Sequence, residues 1–135
     1  MSEIVYFDLE GTGTNQKKRQ EGIEIISIGA ITSTGSKFKT FIIPTVPISE
    51  SATRVHGMTI ENGKLLDKNG QEILTETPQN GLEKFLDFLQ TSNCGYLVAH
   101  NNFKYDWQVL NKNLRKFQIK HPITNQLVPI GQISH

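Results

Sequence analysis

The sequence predicts an α/β domain on a mixed sheet: a three-strand antiparallel meander, a helix, a further strand and a second helix. Three observations carry this expectation. Apolar runs rich in strand-forming residues, at 4–7, 23–32 and 38–44, follow one another with only polar turns between them, as hairpin-linked strands do. Leu82, Phe85, Leu86 and Leu89 then recur at three- and four-residue spacing, which places them on one face of a helix over about residues 78–90. The run "GYLVAH" (95–100) is apolar enough for a strand buried on both faces. Because a helix precedes it, it is expected to lie parallel to one of the first three.

The elements follow in order. The first strand is closed by Gly11 and Gly13, and "TNQKKRQEG" after it reads as an exposed turn. The second strand, "IEIISIGAIT", is rich in β-branched residues, and "TSTGSK" turns the chain at Gly35 into the third. From Pro44 to Pro78 the texture changes to short helical pieces broken by Pro, Gly63 and Gly70. The second helix is expected over about residues 103–117, with Phe103, Trp107, Leu110, Leu114 and Phe117 as its apolar stripe. A length of 135 residues suits one domain.

Composition excludes several classes. A net charge of +1 gives no overall pull toward polyanions. Charge is unevenly spread, however: residues 107–135 contain no Asp or Glu but do contain Lys112, Arg115, Lys116 and Lys120. This is a local positive surface, and a solvated helix face accounts for it equally well. The lone Cys94 excludes an intramolecular disulfide, and no apolar run approaches a membrane span. A soluble intracellular protein, cytoplasmic or nuclear, is the expectation, with no membrane partner.

Asp8 and Glu10 lie two positions apart, so on a strand they point to the same side. Two convergent carboxylates repel, and desolvation adds to the difficulty unless a cation offsets both. An exposed strand end whose acids face water is the plain alternative. Asp106 weighs against it. It falls near the edge of the second helix's apolar stripe, close to the helix N-terminus, and is aimed toward the sheet. Three convergent carboxylates suit a hard cation with oxygen ligands, and metal pairs held this way split phosphodiesters.

Three segments in order, "VYFDLEGTG" (5–13), "ISESATRVHGMT" (48–59) and "LVAHNNFKYDWQVL" (97–110), resemble the DEDD superfamily of 3′-to-5′ exonucleases. The likeness is to its histidine-bearing, proofreading-subunit-like branch. The resemblance covers about residues 4–115 and implies a ribonuclease-H-like fold and metal-dependent hydrolysis of DNA or RNA from a single-stranded 3′ end. It further implies that Asp8, Glu10 and Asp106 are catalytic metal ligands for Mg²⁺ or Mn²⁺, in a two-metal site. By the same resemblance Leu9, Gly11, Thr12, Ala52, His56 and Asn101 bind substrate, while His100 supports the site. Gly11 stands where many members carry Thr, and Ser27 where Glu is frequent.

The family's third motif, a His and an Asp on a last helix, has no counterpart: His121 and His135 are present, but no acid follows Asp106. The expected organisation is therefore a C-terminally truncated exonuclease-like domain at 1–116 and a basic tail at 117–135. Two functions remain open: an exonuclease or its N-terminal part, and a catalytically impaired module that binds nucleic acid or a protein. A third, an internally cutting ribonuclease-H-like enzyme, shares the carboxylates. The exposed sheet edge invites a second copy or a complementing chain.

Overall fold

The computed structural model describes residues 2–14, 22–100 and 103–119. Nine elements follow in chain order: β1 (Glu3–Gly11), β2 (Ile25–Thr32), β3 (Lys37–Phe41), α1 (Glu50–His56), β4 (Thr59–Glu61), β5 (Lys64–Leu66), α2 (Pro78–Thr91), β6 (Cys94–Ala99) and α3 (Phe103–Lys116). The main sheet has the order β3-β2-β1-β6. β1 and β2 pair antiparallel, as do β2 and β3, and β6 lies parallel to β1. This is the predicted mixed sheet, with the predicted turn at Gly35, whose φ is 99°.

The core lies between the sheet and the two long helices. Val5, Phe7 and Leu9 alternate along β1 toward Phe85, Leu86 and Leu89 of α2 and toward Val109, Leu110 and Leu114 of α3. Thr77 caps α2 by accepting from the Asn80 amide at 3.2 Å, with Pro78 in its first turn, an arrangement that satisfies one orphan N–H and omits another. Gly81 lets α2 approach Ile42 closely: a Cβ there would lie 2.5 Å from Ile42 Cγ1. A smaller cluster of Ile26, Met58 and Leu65 secures the 44–78 segment.

β1 runs on to Gly11, one of the two glycines expected to close it, and Asp8 and Glu10 both lie within the paired strand. Two expectations need correction. First, the segment after Pro44 contains a hairpin, β4–β5, turning on Asn62 and Gly63 with φ of 53° and 74°. The Asn-Gly pair is the usual signature of that turn, but Gly63 had been read only as a breaker.

Second, the buried face of α3 comprises Tyr105, Asp106, Val109, Leu110, Asn113 and Leu114, whereas Trp107 and Phe117 are only partly buried. The face is rotated from the predicted stripe because two polar side chains belong to it. Asn113 explains its own place: Nδ2 donates to Ile23 O and Val109 O, and Oδ1 accepts from the Ile25 amide. Beyond residue 119 the proposed tail lies outside the described residues. Among the described residues no helix is long and apolar enough to cross a membrane.

Glu24 ties three parts of the chain together. Its buried carboxylate accepts from the Thr45 amide at 2.6 Å, from the Thr45 hydroxyl, and from Lys116 Nζ at 2.5 Å. Lys116 is therefore paired, and is not part of a free positive surface. Burial works to raise the Glu24 pKa, but Lys116 and Thr45 overcome it and hold the group below its ordinary value. A lowered folded pKa gives stability that is present above the unfolded value and lost as pH falls through the folded one. Glu24→Gln should therefore cost about 1.5–3 kcal/mol at pH 7, the usual worth of hydrogen bonds to a charged group. Denaturant titrations should show the deficit shrinking as the pH is lowered below about 4.5.

Candidate active site

The parallel pairing of β1 with β6 ends at Phe7↔Ala99, and the His100 amide still reaches Phe7 O at 2.8 Å. β1 continues four residues further, to Gly11. The first turn of α3, with Asp106, lies beside the part of β1 that β6 does not cover, near Asp8 and Leu9. Asp106 is 2% exposed, and its Oδ2 has no hydrogen-bond partner. Burial raises its pKa first, the Asp8 charge next and Glu10 last among the charges, against an opposing pull from the Leu9 amide; the result is about 8.

Glu10 is raised for the same two reasons, burial and then Asp8, with Lys39 acting in the other direction. The Lys39 charge acts on Glu10 from β3. Asp8 pairs with Gly29 and Gly29 with Lys39, and the lysine side chain lies across Gly29, its Cδ and Nζ 3.7 Å from where a Cβ would stand. Ser27, directly opposite Glu10, adds a second buried oxygen without a partner.

A cleft of about 270 Å³ gathers Asp8, Leu9, Glu10, Gly11, Ala52, His56 and Asp106 on its walls. Seven of the sequence-derived site residues thus meet in one place. Thr12 does not line the cleft. Its hydroxyl accepts from the Glu24 amide at 2.9 Å, its amide donates to Glu24 O, and its carbonyl accepts from Ser49 N. Asn101 lies outside the described residues. His100 is exposed and faces a different groove, on the other side of Asp8.

His56 is held on both ring nitrogens. The Met58 amide donates to Nδ1 at 3.0 Å, so Nε2 carries the proton and donates to Gly11 O at 3.1 Å. Desolvation lowers its pKa, so the ring is neutral near pH 7. It reaches the cleft as a wall and a brace for β1. α1 can present it there because Ser49 caps the helix start and Gly57, in the left-handed region with φ 80°, ends it.

Sequence reasoning missed Gly13, Thr14, Val55 and Tyr105, which also line the cleft. Tyr105 donates its hydroxyl to Gly13 O at 2.8 Å. Burial, then Asp106 and Glu10, push its pKa upward, which keeps it a donor. Its place beside Asp106 was the available signal, but an aromatic next to a helix acid reads as core.

The donor set is all oxygen and matches a hard cation. The unpartnered Asp106 Oδ2 and the mutual repulsion of the acids are what a cation would relieve. Among the described residues no three His, Cys, Asp or Glu side chains are already closed up as a metal-binding group. The carboxylates share the cleft without converging on one point.

A strand with two acids, met by a helix acid at the open end of a mixed sheet, defines a ribonuclease-H-like nuclease domain. Within that class, the chain belongs to the RNase_T exonuclease family, which matches residues 5–134, in the DEDD superfamily of 3′-to-5′ exonucleases. It is similar to the DNA polymerase III subunit epsilon of Pasteurella multocida (strain Pm70), 33% identical over 122 residues, covering 82% of this chain and 44% of that protein. In fold it resembles Exonuclease I from Methylocaldum szegediense (TM-score 0.65, 14% identity, 84% of this chain and 23% of that one). It likewise resembles the zinc-ion-bound form of the E. coli Exonuclease I complex with single-stranded DNA (TM-score 0.65, 14% identity, 86% and 24%). The chain thus spans under half of the curated relative and about a quarter of either structure's chain.

The Asp106 environment predicts how the metal-free protein responds to pH. Its folded pKa of about 8 lies above the ordinary 3.8, so between those values the folded state keeps a proton that the unfolded chain releases, and stability falls as pH rises. In the presence of a chelator, Asp106→Asn should melt higher than the wild type by several degrees at pH 8. The gap should close toward pH 4 in thermal scans.

Proposed function

We propose that the chain carries the carboxylate centre of a metal-dependent 3′-to-5′ exonuclease, hydrolysing phosphodiesters of DNA or RNA from a single-stranded 3′ end. The observation that carries this reading is the buried Asp106 carboxylate, unpartnered on one oxygen and set against Asp8 and Glu10 in one cleft. Asp8, Glu10 and Asp106 would hold Mg²⁺ or Mn²⁺, in the paired arrangement if two ions bind. When bound, such ions activate water for in-line attack and stabilise charge on the transferring phosphoryl group.

The protein's own residues do the rest. β1 and α3 hold the three acids on the walls of one cleft, from which their side chains would be drawn together onto the ion. Leu9, Gly11, Ala52 and His56 shape the wall for the terminal nucleotide. The single-stranded DNA and zinc in the E. coli relative's complex support both the substrate class and a divalent cation. Residues 117–135, acid-free and bearing Lys120, we read as a basic tail for phosphate contacts. The outer edge of β6 has no strand partner among the described residues, and there we place a pairing edge for a further strand or a second copy. A strictly monomeric elution profile at high concentration counts against the second copy.

A second reading, a catalytically impaired module that binds nucleic acid or protein, is favoured by one observation: residues 107–135 contain no Asp or Glu, so nothing there supplies the family's fourth acid. The readings separate on a labelled single-stranded oligonucleotide incubated with Mg²⁺ or Mn²⁺. Stepwise shortening from the 3′ end that disappears in Asp8→Asn supports the exonuclease, and salt-sensitive binding without shortening supports the module. In calorimetry, Asp8→Asn and Asp106→Asn should each weaken Mn²⁺ binding by roughly tenfold or more, since each removes one of few charged oxygen ligands. Unchanged affinity in both variants excludes the proposed ligand set.

A further inference from the structure

The loop that leaves β1 is fastened by three successive carbonyls, each to a different part of the chain. Gly11 O accepts from His56 Nε2, Thr12 O from the Ser49 amide, and Gly13 O from the Tyr105 hydroxyl at 2.8 Å. The first two contacts come from α1 and its cap. The third comes from α3, from the residue next to Asp106.

The Tyr105 contact depends on the absence of a side chain two residues earlier. A Cβ on Gly11 would lie 2.9 Å from the Tyr105 hydroxyl oxygen, 2.9 Å from Ile23 Cγ2 and 3.2 Å from Glu24 O. Distances under about 3.0 Å force a neighbour to move. The backbone at Gly11 gives no separate reason for glycine, because it lies in a paired strand with no positive φ. What glycine supplies here is space, and the phenol oxygen occupies it. Tyr105 is buried and also lines the cleft, together with Gly11 and Gly13.

We propose that Gly11 and Tyr105 form an interlocked pair, in which the phenol hydroxyl takes the room of a residue-11 side chain and, through Gly13, positions the cleft wall that receives the terminal nucleotide. Tyr105 is then a positioning residue, acting on the ligand through the Gly11–Thr14 wall. The nucleotide half of this inference rests on the proposed exonuclease reading; the interlock itself does not. The physical logic is that of an exchange of volume across a packed contact. Either partner changed alone leaves a clash or an unfilled acceptor, whereas changing both in opposite senses is better tolerated.

The test is a four-protein cycle of wild type, Gly11→Ala, Tyr105→Phe and the double variant. Two quantities are measured on each: the melting temperature under chelator, and the calorimetric affinity for thymidine 5′-monophosphate with Mn²⁺. The interlock predicts that Gly11→Ala lowers the melting temperature sharply. It also predicts that Tyr105→Phe lowers it slightly, and that the double variant is more stable than the sum of the singles, only part of the loss being regained because Ile23 still crowds the site. Strict additivity overturns the interlock.

For binding, Tyr105→Phe should weaken the nucleotide by up to about tenfold, because binding must then also order the Gly13–Thr14 wall that has lost its fastening, while remaining fully folded at the assay temperature. Unaltered affinity in Tyr105→Phe overturns the positioning role. If the wild type binds no nucleotide while Mn²⁺ still binds, the nucleotide half is overturned, and the stability cycle alone judges the interlock. If neither ligand binds, the exonuclease reading fails with it.

Discussion

Asp106 is a carboxylate withdrawn from water beside two others, and much of the fold is arranged to keep it there. Without a cation, withdrawing such a group from water makes it keep a proton that the unfolded chain releases, which costs stability at neutral pH, so the helix that carries it needs anchoring elsewhere. α3 is anchored at both ends of its buried face. Val109, Leu110 and Leu114 sit in the core. Asn113 bonds Ile23 O and the Ile25 amide at the start of β2 as well as Val109 O of its own helix, and Lys116 reaches the buried Glu24. These contacts fix the register of α3 along the sheet, and that register brings Asp106 to β1. The early end of β6 supplies the opening through which it enters.

The same region shows why one cleft can be both a structural joint and a site. Thr12, Glu24 and Thr45 are linked by hydrogen bonds, so the chain immediately behind the cleft is fully occupied. On the cleft wall Asp106 Oδ2 has no partner, and neither has Ser27 Oγ, on the strand residue opposite Glu10. Satisfied groups on one side and unsatisfied oxygens on the other mark where the fold ends and ligand chemistry begins. His56 belongs to the satisfied side, with both nitrogens on backbone groups.

The antiparallel meander and the presence of a parallel further strand were legible because strand runs, turn residues and a helical repeat are local signals; that this strand joins β1, and so the sheet order, was not. The pairing of Asp8 and Glu10 on one face was equally legible, from the two-residue period of a strand. The depth of Asp106 was not. It depends on Asn113, a polar residue that periodicity assigns to the outside and that the structure places inside because it serves β2's backbone. The β4–β5 hairpin was present in the Asn62-Gly63 pair but was hidden by the prolines around it. Thr12 looked like part of the site by its neighbours and proves to be a fastening of the loop. Gly11 was noted as a departure from the usual Thr, but its reason, the Tyr105 hydroxyl, is ninety-four positions away in sequence and visible only in three dimensions.

The central claim is that Asp106, Asp8 and Glu10 hold a divalent cation between them. It is tested most directly by following the Asp106 side-chain carboxyl by carbon-13 NMR through a pH titration, with chelator and then with saturating Mg²⁺. The account predicts a midpoint near 8 under chelator that moves down by about two units or more once the cation neutralises the site. A midpoint that stays in place under Mg²⁺, with the Asp8 and Glu10 carboxyl signals also unmoved, would contradict it.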